Sequence, residues 1–95
     1  MTRKEKLQAI DPKKVIVFDT ETTGLNIGGS RRDEILSLAV MNLEGDVLFC
    51  DLLKPSDRKR WPKAESINGI TPSMVKDKQT IIERRSEIEP IFQER

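Results

Sequence analysis

The chain has 95 residues, 35% of them charged and 36% hydrophobic, with a net charge of +1 and a mean hydropathy of −0.52. That length holds one domain at most, and a domain this small buries only about 60–65% of its unfolded surface, which leaves a thin stability margin. The single cysteine, Cys50, excludes an internal disulfide and a thiolate metal cage, the near-neutral charge gives no global nucleic-acid footprint, and the lack of a long apolar run or signal-like leader predicts a cytoplasmic protein with no membrane contact.

Residues 1–14 form a basic, polar lead-in, in which Leu7 and Ile10 would share one face of a short helix. Asp11-Pro12 ends it, because the residue before proline is pushed out of the helical region. Val15 to Asp19 is the first predicted strand. Its run Val15-Ile16-Val17-Phe18 shows no polar alternation and reads as buried on both faces. The run ends in Asp19-Thr20-Glu21-Thr22-Thr23-Gly24-Leu25. Asp19 and Glu21 are two apart, so on an extended chain their side chains leave the same face, from backbone positions about 6.6 Å apart. Carboxylates that close repel unless a proton or a cation sits between them, and a hard divalent metal bound through oxygen suits such a pair. A strand-end acid followed by a plain Thr-Thr-Gly turn is the alternative, and spacing alone does not separate the two.

Asn26-Ile27-Gly28-Gly29-Ser30 reads as a connector whose glycines permit positive φ. Ile35 to Asn42 and Val47 to Leu53 are the second and third strands. Leu43-Glu44-Gly45-Asp46 between them carries hairpin turn residues, so the two are antiparallel neighbours. Cys50 falls in the third strand and reads as a small packing residue. Asp57-Arg58-Lys59-Arg60-Trp61-Pro62 puts an aromatic face beside positive charge, the composition of a base-stacking platform. Against that stands a plainer arrangement, which the residues favour: solvated charges, with Trp61 covering the edge of the core. Thr71-Pro72 starts a helix with Thr71 as N-cap. Thr80-Ile81-Ile82-Glu83 fits a capping box that opens the last helix. Ile81, Ile88, Ile91 and Phe92 fall on one face of that helix for packing on the sheet, and Pro90 predicts a kink near its end.

Phe18-Asp19-Thr20-Glu21-Thr22-Thr23-Gly24-Leu25 resembles the first motif of the DnaQ-like 3′–5′ exonucleases. This is the branch of the DEDD superfamily that includes the proofreading epsilon subunit of bacterial DNA polymerase III. Asp33-Glu34-Ile35-Leu36-Ser37-Leu38-Ala39-Val40 is similar to its second strand. Leu53-Lys54-Pro55, Ala64-Glu65-Ser66-Ile67-Asn68-Gly69-Ile70-Thr71 and Met74-Val75 resemble the segments after its third.

The resemblance implies an α/β, RNase H-like exonuclease fold, incomplete here: a three-stranded antiparallel meander plus C-terminal helices. It divides the chain into a lead-in, 1–14, and the N-terminal portion of an exonuclease domain, 15–95. It implies metal-dependent phosphodiester hydrolysis at the 3′ ends of DNA or RNA, with two Mg²⁺ or Mn²⁺ ions. Asp19 and Glu21 match the first two of the four metal-holding acids, and Thr22, Leu25 and Asn68 match positions that face the terminal nucleotide. Asn68 stands where many relatives have histidine. On the bare residues it reads equally well as a turn residue before Gly69.

The other two acids of the family follow a further strand and helix, so the resemblance covers half of the metal site. The family also draws its water-activating base from histidine or tyrosine, and this sequence contains neither. The expected form is therefore a truncated or split exonuclease domain, catalytically incomplete alone, whose partners would be a complementing C-terminal chain or a second copy of itself. Two other readings stay open: a non-catalytic assembly module with the same fold, and a non-functional gene remnant.

Overall fold

The computed structural model describes residues 11–24 and 33–93. In chain order these form β1 (Ile16–Thr22), β2 (Ile35–Asn42), β3 (Val47–Leu52), α1 (Pro62–Asn68), α2 (Pro72–Val75) and α3 (Arg85–Gln93). The strands make an antiparallel meander with β2 in the middle. That is the expected plan. The predicted lead-in helix and the 26–30 connector lie outside the described residues.

β2 sets the two faces of the sheet. Leu36, Leu38, Val40 and Asn42 are buried on one side, whereas Ile35, Ser37 and Ala39 are half-buried and Met41 is exposed on the other. Leu38 and Val40 join Phe49, Leu53 and Ile88 in one buried cluster, with Ile16, Ile35, Leu48 and Ile91 packed around it. The last helix thus covers the face that carries Leu38 and Val40. Burying a side chain of this size contributes about 1.5–3 kcal/mol. Leu36, Trp61, Ile70 and Val75 form a second cluster, flanked by Leu52 and Ala64.

The β2–β3 hairpin is tied by one side chain. Asn42, buried, accepts the backbone N–H groups of Glu44 at 2.9 Å and Asp46 at 3.0 Å, and its amide nitrogen donates to the Asp46 carboxylate at 3.0 Å. Gly45 takes φ 88°, the left-handed region that favours glycine. The helix starts behave as their residues dictate. Pro62 and Pro72 occupy the first helical positions, where a missing N–H costs nothing, and Thr71 accepts from Met74 N–H at 3.3 Å.

The structure departs from expectation in five places. β1 continues through Glu21 to Thr22 instead of ending at Asp19, so both acids lie inside a paired strand. It is also not buried on both faces: Val17 is 51% and Phe18 57% exposed, because β1 is the outer strand and, among the described residues, its far edge has no partner. β3 stops at Leu52, and Leu53 turns into the core while its N–H still reaches Leu36 O at 2.8 Å. Cys50 is exposed rather than packed, since it pairs with Ala39 on the open face.

The fifth concerns the last helix. The Thr80–Glu83 capping box does form, with Glu83 N–H on Thr80 Oγ1 and Thr80 N–H on Glu83 Oε1. It closes a turn, however, and α3 begins only at Arg85. Ile81 accordingly stays outside the helix and exposed, while Ile88 and Ile91 pack on the sheet and Phe92 meets Phe18 edge-on at 5.8 Å.

Candidate active site

Antiparallel pairing places Asp19 opposite Ala39 and Glu21 opposite Ser37. Ala39 in turn faces Cys50. Both acids therefore stand on the open face of the sheet, where alternation aims them the same way. Both are exposed. Among the described residues, neither carboxylate has an ion-pair or side-chain hydrogen-bond partner. Hard oxygen donors without an internal partner fit a hard divalent cation. Two carboxylates fill only part of an octahedral shell. Among the described residues no group of three or more His, Cys, Asp or Glu stands together, so the pair fits as part of such a site.

Immediately after the acids the chain is held from two sides. On one side, Thr23 Oγ1 donates to Asp33 Oδ1 at 2.8 Å and accepts Glu34 N–H at 3.0 Å. The Asp33 carboxylate is almost fully buried and also meets Arg58 Nη2 at 3.2 Å. It packs so closely on Gly24 that a Cβ there would come within 2.7 Å of Asp33 Oδ2. Glycine is required here by proximity. On the other side, Asn68 Nδ2 donates to Thr22 O at 3.2 Å while Asn68 Oδ1 accepts Ile70 N–H at 2.9 Å. The Asn68 amide thus braces the end of β1 against the end of α1. Leu25, the remaining expected nucleotide contact, lies outside the described residues.

Glu34 secures the outer layer. Its carboxylate accepts three successive backbone N–H groups, from Ser56 at 2.6 Å, Asp57 at 3.0 Å and Arg58 at 2.9 Å. Burial raises its pKa, but the N–H groups of Arg58, Asp57 and Ser56 and the Arg58 charge outweigh that and leave it below the usual glutamate value of 4.5. The roles of Asp33, Glu34 and Arg58 as supports escape a sequence reading, because the partners lie about ten to twenty-five residues apart. The only local signal was the glycine after Thr22-Thr23.

Trp61 does not serve as a stacking platform. It is 4% exposed, and its indole N–H donates to Ile70 O at 2.8 Å within the second apolar cluster. The basic residues around it point to solvent, with Lys59, Arg60 and Lys63 all exposed. No described helix is long and apolar enough to cross a membrane.

A model of the exonuclease family RNase_T matches residues 16–95, from the first residue of β1 through both acids, the meander and all three helices. No curated protein matches the chain. The chain belongs to the exonuclease family, and its meander with C-terminal helices is part of an RNase H-like α/β fold.

Proposed function

We infer that the chain contributes the first half of a 3′–5′ exonuclease site of DnaQ-like type, similar to proofreading epsilon subunits, acting on DNA or RNA ends. The observation that carries this reading is the pair of acids, Asp19 and Glu21, without ion-pair partners among the described residues, on one open face of the strand where the family match begins. These two carboxylates would hold Mg²⁺ or Mn²⁺. Bound there, a divalent cation would lower the pKa of an attacking water and would steady charge on the leaving 3′ oxygen. The protein's own contribution is position. Thr22, braced by Asn68 through its carbonyl, and Gly24, seated on Asp33, present a fixed backbone to the terminal nucleotide beside Leu25.

No histidine or tyrosine is present in the sequence, so the general base must come from elsewhere. Its lack forfeits a factor of about 10²–10⁴ in rate. Titration with Mn²⁺, followed by paramagnetic broadening, tests the metal assignment. Broadening centres on residues 19–22 and disappears in the Asp19→Ala, Glu21→Ala double variant; broadening that survives the double variant moves the site elsewhere. Release of mononucleotides from a 3′-labelled oligonucleotide is expected only when a C-terminal exonuclease fragment with the remaining acids and a histidine is added. Vigorous Asp19-dependent digestion by the chain alone would overturn that expectation.

A second reading has its own observation. Val17, Met41 and Val47 are exposed on the face that carries the acids, as an assembly module would need. Function that persists in a complex after Asp19→Ala would favour it.

A further inference from the structure

Charge is distributed very unevenly along the chain. Residues 54–63 hold Lys54, Arg58, Lys59, Arg60 and Lys63 against Asp57 alone, a local net charge of +4, so the other 85 residues carry −3 in a chain of +1. A solvated basic loop is the ordinary explanation for such a run, and three structural facts argue against it here.

The segment is fixed in place. Pro55 and Trp61 are buried at its two ends, and the Glu34 carboxylate grips the backbone of Ser56, Asp57 and Arg58. Its cations are also unspent. Among the described residues Lys59, Arg60 and Lys63 are exposed and have no ion-pair partner, although sixteen acids are available in the sequence. Finally, the segment is tied to the turn that follows the acids through its middle and through the helix that follows it. Arg58 reaches Thr23 through Asp33, and α1, which carries Lys63 in its first turn, reaches Thr22 through Asn68. Burial and carboxylates thus fix three exposed cations, without ion-pair partners among the described residues, on a segment tied to the Thr22–Gly24 turn, an arrangement that suits a negatively charged ligand.

We propose that Lys59, Arg60 and Lys63 form a phosphate-binding strip that holds the nucleic-acid strand leading to the Asp19–Glu21 site. The proposal rests on the exonuclease reading for the identity of the strand. It assigns the basic loop to the sugar-phosphate backbone and leaves base stacking out, since Trp61 is committed to the core. The contact is independent of sequence, and its electrostatic origin makes it salt-dependent, with a slope of about −0.7 per neutralised phosphate in a plot of log affinity against log salt for single strands.

The test uses a short fluorescein-labelled oligothymidylate, in EDTA, across a potassium chloride series, with fluorescence anisotropy as the readout. Wild-type protein is expected to bind at low salt. The Lys59→Ala, Arg60→Ala, Lys63→Ala variant loses roughly tenfold or more in affinity, and its salt slope flattens by about 2. The Lys13→Ala, Lys14→Ala variant removes exposed charge at the opposite end of β1 and stays within about twofold of wild type. Lys59→Arg with Lys63→Arg keeps the charge and retains binding. Equal losses in the strip and the control variants, or no salt-dependent binding by wild type, would overturn the proposal. Because EDTA removes divalent metal, a failure of Asp19 and Glu21 to bind Mn²⁺ would sink the exonuclease reading without altering this result.

Discussion

The two faces of the sheet carry acids under opposite conditions. On the face covered by α3, Asp51 is held by Arg84 at 2.9 Å and Lys78 at 3.1 Å, and Arg84 also stacks over the Phe49 ring at 4.8 Å and pairs with Glu87. On the open face, Asp19 and Glu21 have no such company among the described residues. The same three strands therefore separate the carboxylate that serves the fold from the two proposed to hold metal by what the neighbouring chain supplies. A charge that serves the fold comes with its counter-ions; a charge reserved for a ligand is left to water. Apolar residues divide the same way, with Leu38, Val40 and Phe49 buried on one face and Val17, Met41 and Val47 exposed on the other.

The contrast is broken most forcefully in the core. Leu38→Ala is expected to cost about 2–5 kcal/mol, enough to unfold much of so small a chain, whereas Met41→Ser on the open face stays within about 0.5 kcal/mol. Urea titration of both variants makes the comparison. A large loss for Met41→Ser would mean that the open face is covered in solution, and sedimentation at rising concentration would then show whether a second copy covers it.

Next in size is Gly24→Ala. The new Cβ meets a carboxylate already fixed by Thr23 and Arg58, so overpacking should cost about 1–3 kcal/mol. Thermal unfolding reads the loss, and the double variant Gly24→Ala, Asp33→Ala should recover part of it if that contact is the cause.

Asp51 sharpens the comparison through pH. Hydrogen bonds from Arg84 and then Lys78 lower its pKa from 3.8 to about 2. Because the folded value is depressed, the stabilisation is fully present above the unfolded value and is lost as pH falls through about 2. Its carboxylate is partly exposed, so after solvent screening the contribution is about 1 kcal/mol. Asp51→Asn should lower stability by that amount at neutral pH and lose its deficit relative to wild type near pH 2, as measured by denaturant midpoints.

The smallest effect on stability belongs to the pair proposed to hold the metal. Asp19→Asn with Glu21→Gln should leave the unfolding midpoint unchanged or slightly raised, because no partner is lost and a repulsion is relieved, while Mn²⁺ broadening vanishes. A clear destabilisation would place these acids in the fold rather than in a site.

Much of this was legible beforehand. The expected second strand, Ile35–Asn42, coincides with β2 to the residue, and the Leu43–Asp46 turn pointed to the hairpin, because turn chemistry is local. The acids and their shared face followed from a spacing of two. β1 was harder, because four apolar residues look the same whether a second layer covers them or not; only the neighbours of Val17 and Phe18 decide that. The supports of the site were out of reach for a related reason. Nothing near Glu34 announces that it will bind the backbone of residues 56–58, and nothing near Asn68 points to Thr22.

The buried Asn42 side chain has a consequence for the order in which the molecule assembles. It closes a hairpin across only Leu43–Asp46, so β2 and β3 can find each other quickly, with their turn already cross-linked by local hydrogen bonds. β1 must be recruited across residues 23–34, a closure that costs about 1 kcal/mol more in chain entropy, and among the described residues it gains a partner along one edge only. The acid-bearing strand is thus the late arrival, joining a hairpin that is already formed. During synthesis it emerges first and waits, unpaired, for the rest of the sheet.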